Sequence, residues 1–270
     1  MLARLRVPWA FVVRDFRIEV SYKAGFVFRI AAPLVNVAIY FFIARVFGSV
    51  AAPYLQLYGG NYFAFVVIGV AFADYLGLGI SAIGNSIRDG QVTGTLELML
   101  LSPTRLVVTL ISSSLWSYVF ATLRVLVYLI VGVGLGMSFD QANVPFALLS
   151  LVVAIISFNA LGLFSASVII LMKRGDPLGW ALRVSSLVLA GVYYPVAVLP
   201  SWLNLIGQLL PLTHALELLR RSLLHGEGFA ELGGELAILC ALTLVLLPLG
   251  ILACQLAIRV ARTDGSLSHY

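Results

Sequence analysis

Residues 144–172 read VPFALLSLVVAIISFNALGLFSASVIILM, a run without a single charged side chain. About 20 apolar residues in a helix cross the roughly 30 Å hydrocarbon core of a bilayer, so this run has length to spare. Five further stretches, 26–47, 61–83, 106–136, 181–199 and 236–258, are similarly apolar and near or above spanning length. Few folds are open to such a chain. Backbone groups inside lipid must be bonded internally, which leaves helices or a closed barrel. Alternating strands of about ten residues, the pattern of an outer-membrane barrel, are absent from the sequence. Only 11% of the residues are charged, less than half the roughly 25% usual in a soluble domain, and the mean hydropathy is +1.04. The expected fold is an all-α polytopic membrane protein with six transmembrane helices.

Basic residues set the expected orientation. Segments 1–25, 84–105, 173–183 and 259–270 hold twelve of the 17 Lys and Arg. The opposite segments, 48–60, 137–143 and 200–235, hold only Arg220 and Arg221, while Arg29, Arg45 and Arg124 fall inside spans. Positive loops stay cytoplasmic, so both termini and residues 84–105 are expected to face the cytosol beneath a cell membrane. The net charge of +5 then reads as a topology signal, with anionic lipid headgroups as its neighbours and no need of nucleic acid.

Within residues 1–25, Trp9, Val12, Val13, Phe16 and Val20 recur at helical spacing, with Arg14, Arg17 and Ser21 on another face and Pro8 in the first turn. That pattern predicts an amphipathic helix lying in the cytoplasmic interface, and its charges break the apolar core that a cleavable signal needs. Residues 26–258 form the expected membrane domain and 259–270 a cytoplasmic tail. In the outer segment 200–235, two apolar pieces, 202–210 and 213–224, are divided at Pro211. Each is too short to span, so a pair of re-entrant half-length helices in the outer leaflet is expected. Cys240 and Cys254 lie on one apolar run, about 21 Å apart on a helix and beyond disulfide reach.

No catalytic grouping is visible. His214, His225 and His269 are scattered without ligand spacing. G-x-S-x-G, H-E-x-x-H and the phosphate-binding G-x-x-x-x-G-K-[S/T] are all missing; the only lysines are Lys23 and Lys173. The chain is read as no enzyme, with no ATP site of its own. Asp74 and Arg124 are the deepest charges. With the second span ending at residue 83, Asp74 lies about 14 Å from the cytoplasmic end and Arg124 about 27 Å along its own helix. Side chains cover only part of that gap. The two residues mark an ion path, or else they snorkel or bond inside the bundle.

Residues 84–105 contain a short helix-capable piece, 94–101, bounded by Gly90, Gly94 and Pro103. Leu96, Met99 and Leu100 give it an apolar side, while Glu97, Arg88 and Asp89 supply polar contacts. This suits either docking into a partner's groove or a lipid-facing interfacial loop. The glycines permit a sharp exit from the membrane helix, and Pro103 stops the piece before the next span.

The stretch IRDGQVTGTLELMLLSPTR (87–105) resembles the first cytoplasmic loop of ATP-binding-cassette (ABC) type-2 permeases, which carry R…G-T-L-E-x-L-L-x-(S/T)-P there. A second block, GVYYPVAVLPSWLNLIGQLLPLTHALELLRRSLL (191–224), resembles that family's closing signature. With the six spans and the amphipathic N-terminal helix, the resemblance covers nearly the whole chain. It implies that Arg88, Gly90, Gly94, Thr95, Leu96, Glu97 and Pro103 belong to a coupling helix seated on a cytosolic ATPase. It likewise implies that Tyr194, Pro195, Leu199, Pro200, Pro211, Thr213 and Arg220 belong to the end of the fifth helix and the re-entrant helices capping the pathway, with Pro195 kinking the fifth span. Its further implications are two copies of an ABC ATPase subunit, which would carry the ATP and Mg, and a second permease subunit, by default a homodimer. No cofactor is expected on this chain.

Such permeases export drugs, lipids and glycans, and the loop wording leans toward the drug and lipid branch. Tyr62, Tyr75, Tyr118, Tyr128, Tyr193 and Tyr194 lie in or near spans, either lining a path or forming an interfacial belt and ordinary packing. Two competing readings are an ion-coupled secondary transporter centred on Asp74 and Arg124, and a membrane scaffold without transport.

Overall fold

A computed structural model describes residues 2–92, 106–172 and 175–263. They form α1 (Leu2–Ser21), α2 (Lys23–Ala51, continuing as a 3-10 turn Ala52–Tyr58), α3 (Tyr62–Val92), α4 (Leu106–Gly134), α5 (Val144–Met172), α6 (Pro177–Leu189), a 3-10 turn Val196–Val198, α7 (Ser201–Gln208), α8 (Pro211–His225) and α9 (Phe229–Thr263). The described residues include no strand. Among them five helices are long and apolar enough to cross a membrane, with segments Lys23–Tyr58, Tyr62–Asn85, Leu115–Gly134, Val144–Met172 and Phe229–Val260. The architecture is that of a polytopic helical membrane protein.

Local signals open several of these helices. Asn61 Oδ1 accepts from the Ala64 N–H at 3.2 Å, and Asn143 Oδ1 from Phe146 N–H at 3.2 Å. Asp176 Oδ1 accepts from Gly179 N–H at 2.7 Å, with Pro177 in the first turn. Each side chain satisfies one of the donors a helix start leaves unpaired.

α5 runs between α3 and α9 and buries side chains along its length, among them Ser150, Ala154, Ser157, Ala160 and Ala166. Its backbone comes very close to both neighbours. A Cβ on Gly162 would stand 2.0 Å from the Gly79 carbonyl oxygen of α3, and one on Gly250 of α9 would stand 2.8 Å from the Ala160 carbonyl. Small residues let membrane helices approach like this, and dispersion then holds them. The remaining face of α5, with Leu148, Val152 and Ile156, is exposed and apolar. A helix packed on one side and turned to lipid on the other needs no polar face, which accounts for its uncharged sequence. Phe28, Val35, Phe42 and Val46 on α2 and Leu244 and Val245 on α9 are exposed in the same way, as a lipid-facing surface requires. α1 lies against α4, where the Phe16 ring meets Trp116 edge-on at 5.3 Å and Trp116 Nε1 donates to Glu19 at 2.5 Å. Glu19 also pairs with Arg29 of α2.

Two boundaries differ from expectation. α3 continues past residue 83 to Val92, because its packing continues. Ile83 is buried with Ala166, Ile170, Cys254 and Ala257, and a Cβ on Gly84 would meet Ile169 Cδ1 at 2.5 Å. Gly90 therefore sits within the helix and does not mark its exit. The expected span 181–199 is α6, only 13 residues long, or about 20 Å. The chain leaves the helix at Ala190 and turns at Gly191, whose φ of +76° is easy only for glycine. Pro195 is already extended, at φ −61° and ψ 138°. The expected kink at Pro195 is thus a complete break that begins five residues earlier.

Candidate functional site

The break after α6 is held by one side chain from α8. Arg220 is 3% exposed. Its Nε donates to the Phe65 carbonyl of α3 at 3.1 Å, Nη1 to the Gly191 carbonyl at 2.9 Å and Nη2 to the Val192 carbonyl at 3.1 Å. The guanidinium lies over the Phe65 ring, 3.5 Å from its centroid. A planar fork of five donors suits divergent acceptors, and it stays charged at any ordinary pH. Gly69 makes the slot: a Cβ there would stand 2.4 Å from both Arg220 Nη2 and the Val192 carbonyl. Glu217, one turn back on α8, accepts from the Tyr58 hydroxyl and lies 3.5 Å from Arg221, which also pairs with Glu227. Three elements (the start of α3, the turn after α6, and α8) are therefore pinned together.

Adjacent bonds fix the corner between α7 and α8. The Thr213 hydroxyl donates to the Gly207 carbonyl at 2.6 Å. His214 is buried, with Nε2 2.8 Å from the Gln208 carbonyl and Nδ1 2.8 Å from Glu235 Oε2 on α9. A carbonyl can only accept, so Nε2 carries a hydrogen. Pro211 opens α8 and is buried, Pro200 immediately precedes α7, and the Tyr194 hydroxyl donates to the Val188 carbonyl. The whole second block thus converges on one end of the bundle.

Midway along α3 and α4, Arg124 Nη2 lies 3.3 Å from Asp74 Oδ2. The expected mismatch in height came from ending the second span at residue 83. With α3 running to Val92 and α4 starting at Leu106, each residue stands eighteen positions from its helix end, about 27 Å, and the two meet. Arg124 Nε is buried without a hydrogen-bond partner among the described residues. Tyr75 and Thr122 hydroxyls are 2.8 Å apart, Asn36 Nδ2 donates to the Tyr128 hydroxyl at 2.9 Å, and the Tyr62 hydroxyl to the Tyr193 carbonyl at 3.3 Å. Four of the six singled-out tyrosines, Tyr62, Tyr75, Tyr128 and Tyr194, thus have their hydroxyls hydrogen-bonded within the bundle.

Asp74 also borders a cavity of about 250 Å³, with Arg183 and Leu187 of α6 and Val192 and Tyr193 of the clamped turn on its other walls. Sequence reasoning missed Arg183, which it counted as loop charge. Missed too were Gly69, Glu217 and Glu235. A glycine in an apolar run and the backbone acceptors of Arg220 carry no residue-level signal.

Of the expected coupling residues, Arg88 is exposed near the end of α3 and Gly90 lies inside that helix. Gly94, Thr95, Leu96, Glu97 and Pro103 lie outside the described residues. No curated protein matches the chain. A family model described as ABC-2 family transporter protein matches residues 49–252, which takes in the clamp, the ion pair, the cavity and the whole 84–105 stretch. That match covers roughly three-quarters of the sequence, and with it the chain belongs to the ABC-2 family of transporter proteins.

Proposed function

We propose that the chain is the permease subunit of an ABC exporter that carries an amphipathic or lipid-linked molecule, a drug, lipid or glycan, out of the cytoplasm. Energy comes from ATP, bound with Mg on a separate ATPase subunit; family membership implies such a partner. The observation that carries this reading is α3. It is one unbroken helix of 31 residues without proline, about 46 Å long. It leads from Phe65 in the Arg220 clamp, past Asp74, to Arg88 and the stretch that follows. Helices bend sharply only at identifiable faults such as proline. A push delivered at residues 94–101 is therefore felt at the ion pair and at the clamp.

In this reading Leu96 and Glu97 seat on the ATPase, with Gly94, Thr95 and Pro103 shaping the seat and Arg88 and Gly90 at its entry. Two ATPase copies closing on ATP displace two such seats, and a second permease subunit, a homodimer partner, completes the pathway. The clamp region, with Tyr194, Pro195, Pro200, Pro211, Thr213 and Arg220, is the outer gate, formed by α7 and α8 as re-entrant helices below the broken fifth crossing. Both termini face the cytosol across the cell membrane, as the basic residues require. An ion-coupled carrier would need the Asp74 carboxylate to exchange partners, and Arg124 at 3.3 Å already holds it.

The test is a pull-down from solubilised membranes of the native chain, Glu97→Arg and Leu96→Asp, with ATPase activity assayed in the recovered material. A cassette ATPase should accompany the native chain and be lost or uncoupled in both variants. Absence of any ATPase from the native pull-down would overturn the reading, and transport that persists without an ATPase and ceases in Asp74→Asn would favour the ion-coupled carrier.

A further inference from the structure

The cavity beside Asp74 has walls of opposite charge. On the α3 side stand Val70, Ala73, Asp74 and Gly77; on the α6 side stand Arg183 and Leu187, and the clamped residues Val192 and Tyr193 close it. Asp74 gives Oδ2 to Arg124 at 3.3 Å, which leaves the lone pairs of Oδ1 for another donor. Arg183 is freer still. Its Nε donates to the Gly179 carbonyl at 3.2 Å, but its nearest carboxylate, Asp176, is 3.9 Å away, beyond hydrogen-bond reach. Asp176 is itself satisfied by the Ser165 hydroxyl and the Gly179 N–H, both at 2.7 Å, at the start of α6. The terminal donors of Arg183 thus have no hydrogen-bond partner among the described residues.

We propose that this cavity binds a zwitterionic headgroup, its anion on Arg183 and its cation on Asp74. A lone anion entering would face the Asp74 carboxylate, and a lone cation would face the Arg183 guanidinium. A neutral polar group would offer neither the Arg183 terminal donors nor Asp74 Oδ1 a charged partner, and charge-assisted hydrogen bonds are roughly twice as strong as neutral ones. Only a group bearing both signs satisfies both walls. Size narrows the class. Drug-sized pockets run from about 300 to 1,000 Å³, and 250 Å³ falls short of that range. It holds a headgroup such as a phosphate with an amine, while apolar chains stay outside in the membrane. The position is also telling: Val192, which lines the cavity, gives its carbonyl to Arg220, so the headgroup sits beside the clamp. The proposal deepens the exporter reading by naming a class of cargo, and it rests on that reading only for the direction of travel.

Binding can be measured without any ATPase, so failure here and failure of the exporter reading are separable. The full chain, purified in detergent, would be offered equal amounts of phosphatidylethanolamine, phosphatidylglycerol and a trimethylammonium diacyl lipid with identical chains, and retained lipid counted by native mass spectrometry. A soluble arm adds glycerophosphoethanolamine as competitor. The native chain should retain phosphatidylethanolamine about tenfold over either singly charged lipid, the scale of one charge-assisted hydrogen bond. Arg183→Gln should move the preference toward the cationic lipid, and Asp74→Asn toward phosphatidylglycerol. Competition by the soluble compound would show that the headgroup alone suffices; its failure to compete, with lipid selectivity intact, would show that the ligand is membrane-borne. Both results support the site. Should Asp74→Asn not melt cooperatively, Arg183→Gln decides alone, since it leaves the Asp74–Arg124 pair in place. No preference in the native chain, or a preference unchanged in Arg183→Gln, overturns the proposal.

Discussion

Three carbonyls and an aromatic ring converge on Arg220, and removing that side chain would strand all three acceptors in a buried place. A hydrogen bond to a charged group contributes about 1.5–3 kcal/mol, and a buried group left unsatisfied costs a similar amount. Arg220→Ala should therefore lower unfolding stability by about 3 kcal/mol or more, read from denaturant or thermal unfolding in detergent. Arg220→Lys keeps the charge but not the fork or the stacking, so it should fall between the two. An Arg220→Ala protein that unfolds like the native one would refute the clamp. Gly69→Ala offers a second probe, because its Cβ meets the Val192 backbone as well as the guanidinium. Its cost should persist in the Arg220→Ala background. At this scale the sequence was half readable. The family's motif singled out Arg220, Thr213 and Pro211, yet what Arg220 grips is main chain, which any residue presents. Gly69 is legible only once something is seen to need its missing side chain.

Among the helices, the packing of α5 against α3 and α9 depends on glycines whose added Cβ would enter a neighbour's backbone. Gly162→Val should destabilise the protein by about 1–3 kcal/mol or more, since the two helices would have to separate along much of their contact. Gly233→Ala in α9 is the matched control: nothing lies within 4 Å of its Cβ position, and alanine is up to about 1 kcal/mol the better helix former. Thermal melts should place the first well below the native protein and the second at or slightly above it. Equal melts would show that the close approach of the backbones contributes little. Element boundaries follow the same division between local and distant causes. The fourth span agrees with expectation at Val144–Met172 because Asn143 caps it and Lys173 begins the basic segment beyond, both local features. The second and fifth spans differ because their ends depend on contacts far along the chain. Ile169 supports the extension of α3 through Gly84. Arg220, from 29 residues further on, holds the turn that stops α6 from continuing.

Taken as a whole molecule, the bundle carries the Arg220 clamp near the start of α3, while the 93–105 stretch follows that helix's other end in the sequence. The fold class was plain from hydropathy, because a bilayer admits so few solutions. Much of the clamp block was legible from its motif, whereas the ion pair and the charged cavity emerged only from relative helix heights. If α3 transmits movement, a fault placed between the 93–105 stretch and the ion pair should separate docking from transport. Asn85 is exposed on α3, clear of the close contact at Gly84. Proline there removes the hydrogen bond to residue 81 and clashes with its carbonyl, kinking the helix at a cost of roughly 3 kcal/mol. Leu96 and Glu97 are untouched by this change. The ATPase should therefore still co-purify with Asn85→Pro, and ATP should still be hydrolysed, while cargo efflux per ATP falls by about tenfold, equivalent to about 1.4 kcal/mol of lost coupling. Asn85→Ala, which leaves the helix intact, should transport like the native chain. Efflux in Asn85→Pro equal to that of the native chain would mean that α3 need not be rigid, and the route from ATPase to gate would have to run through another helix. Loss of ATPase binding in the same variant would instead place the end of α3 within the docking surface. Arg88, exposed one turn further along, would then be the next residue to substitute.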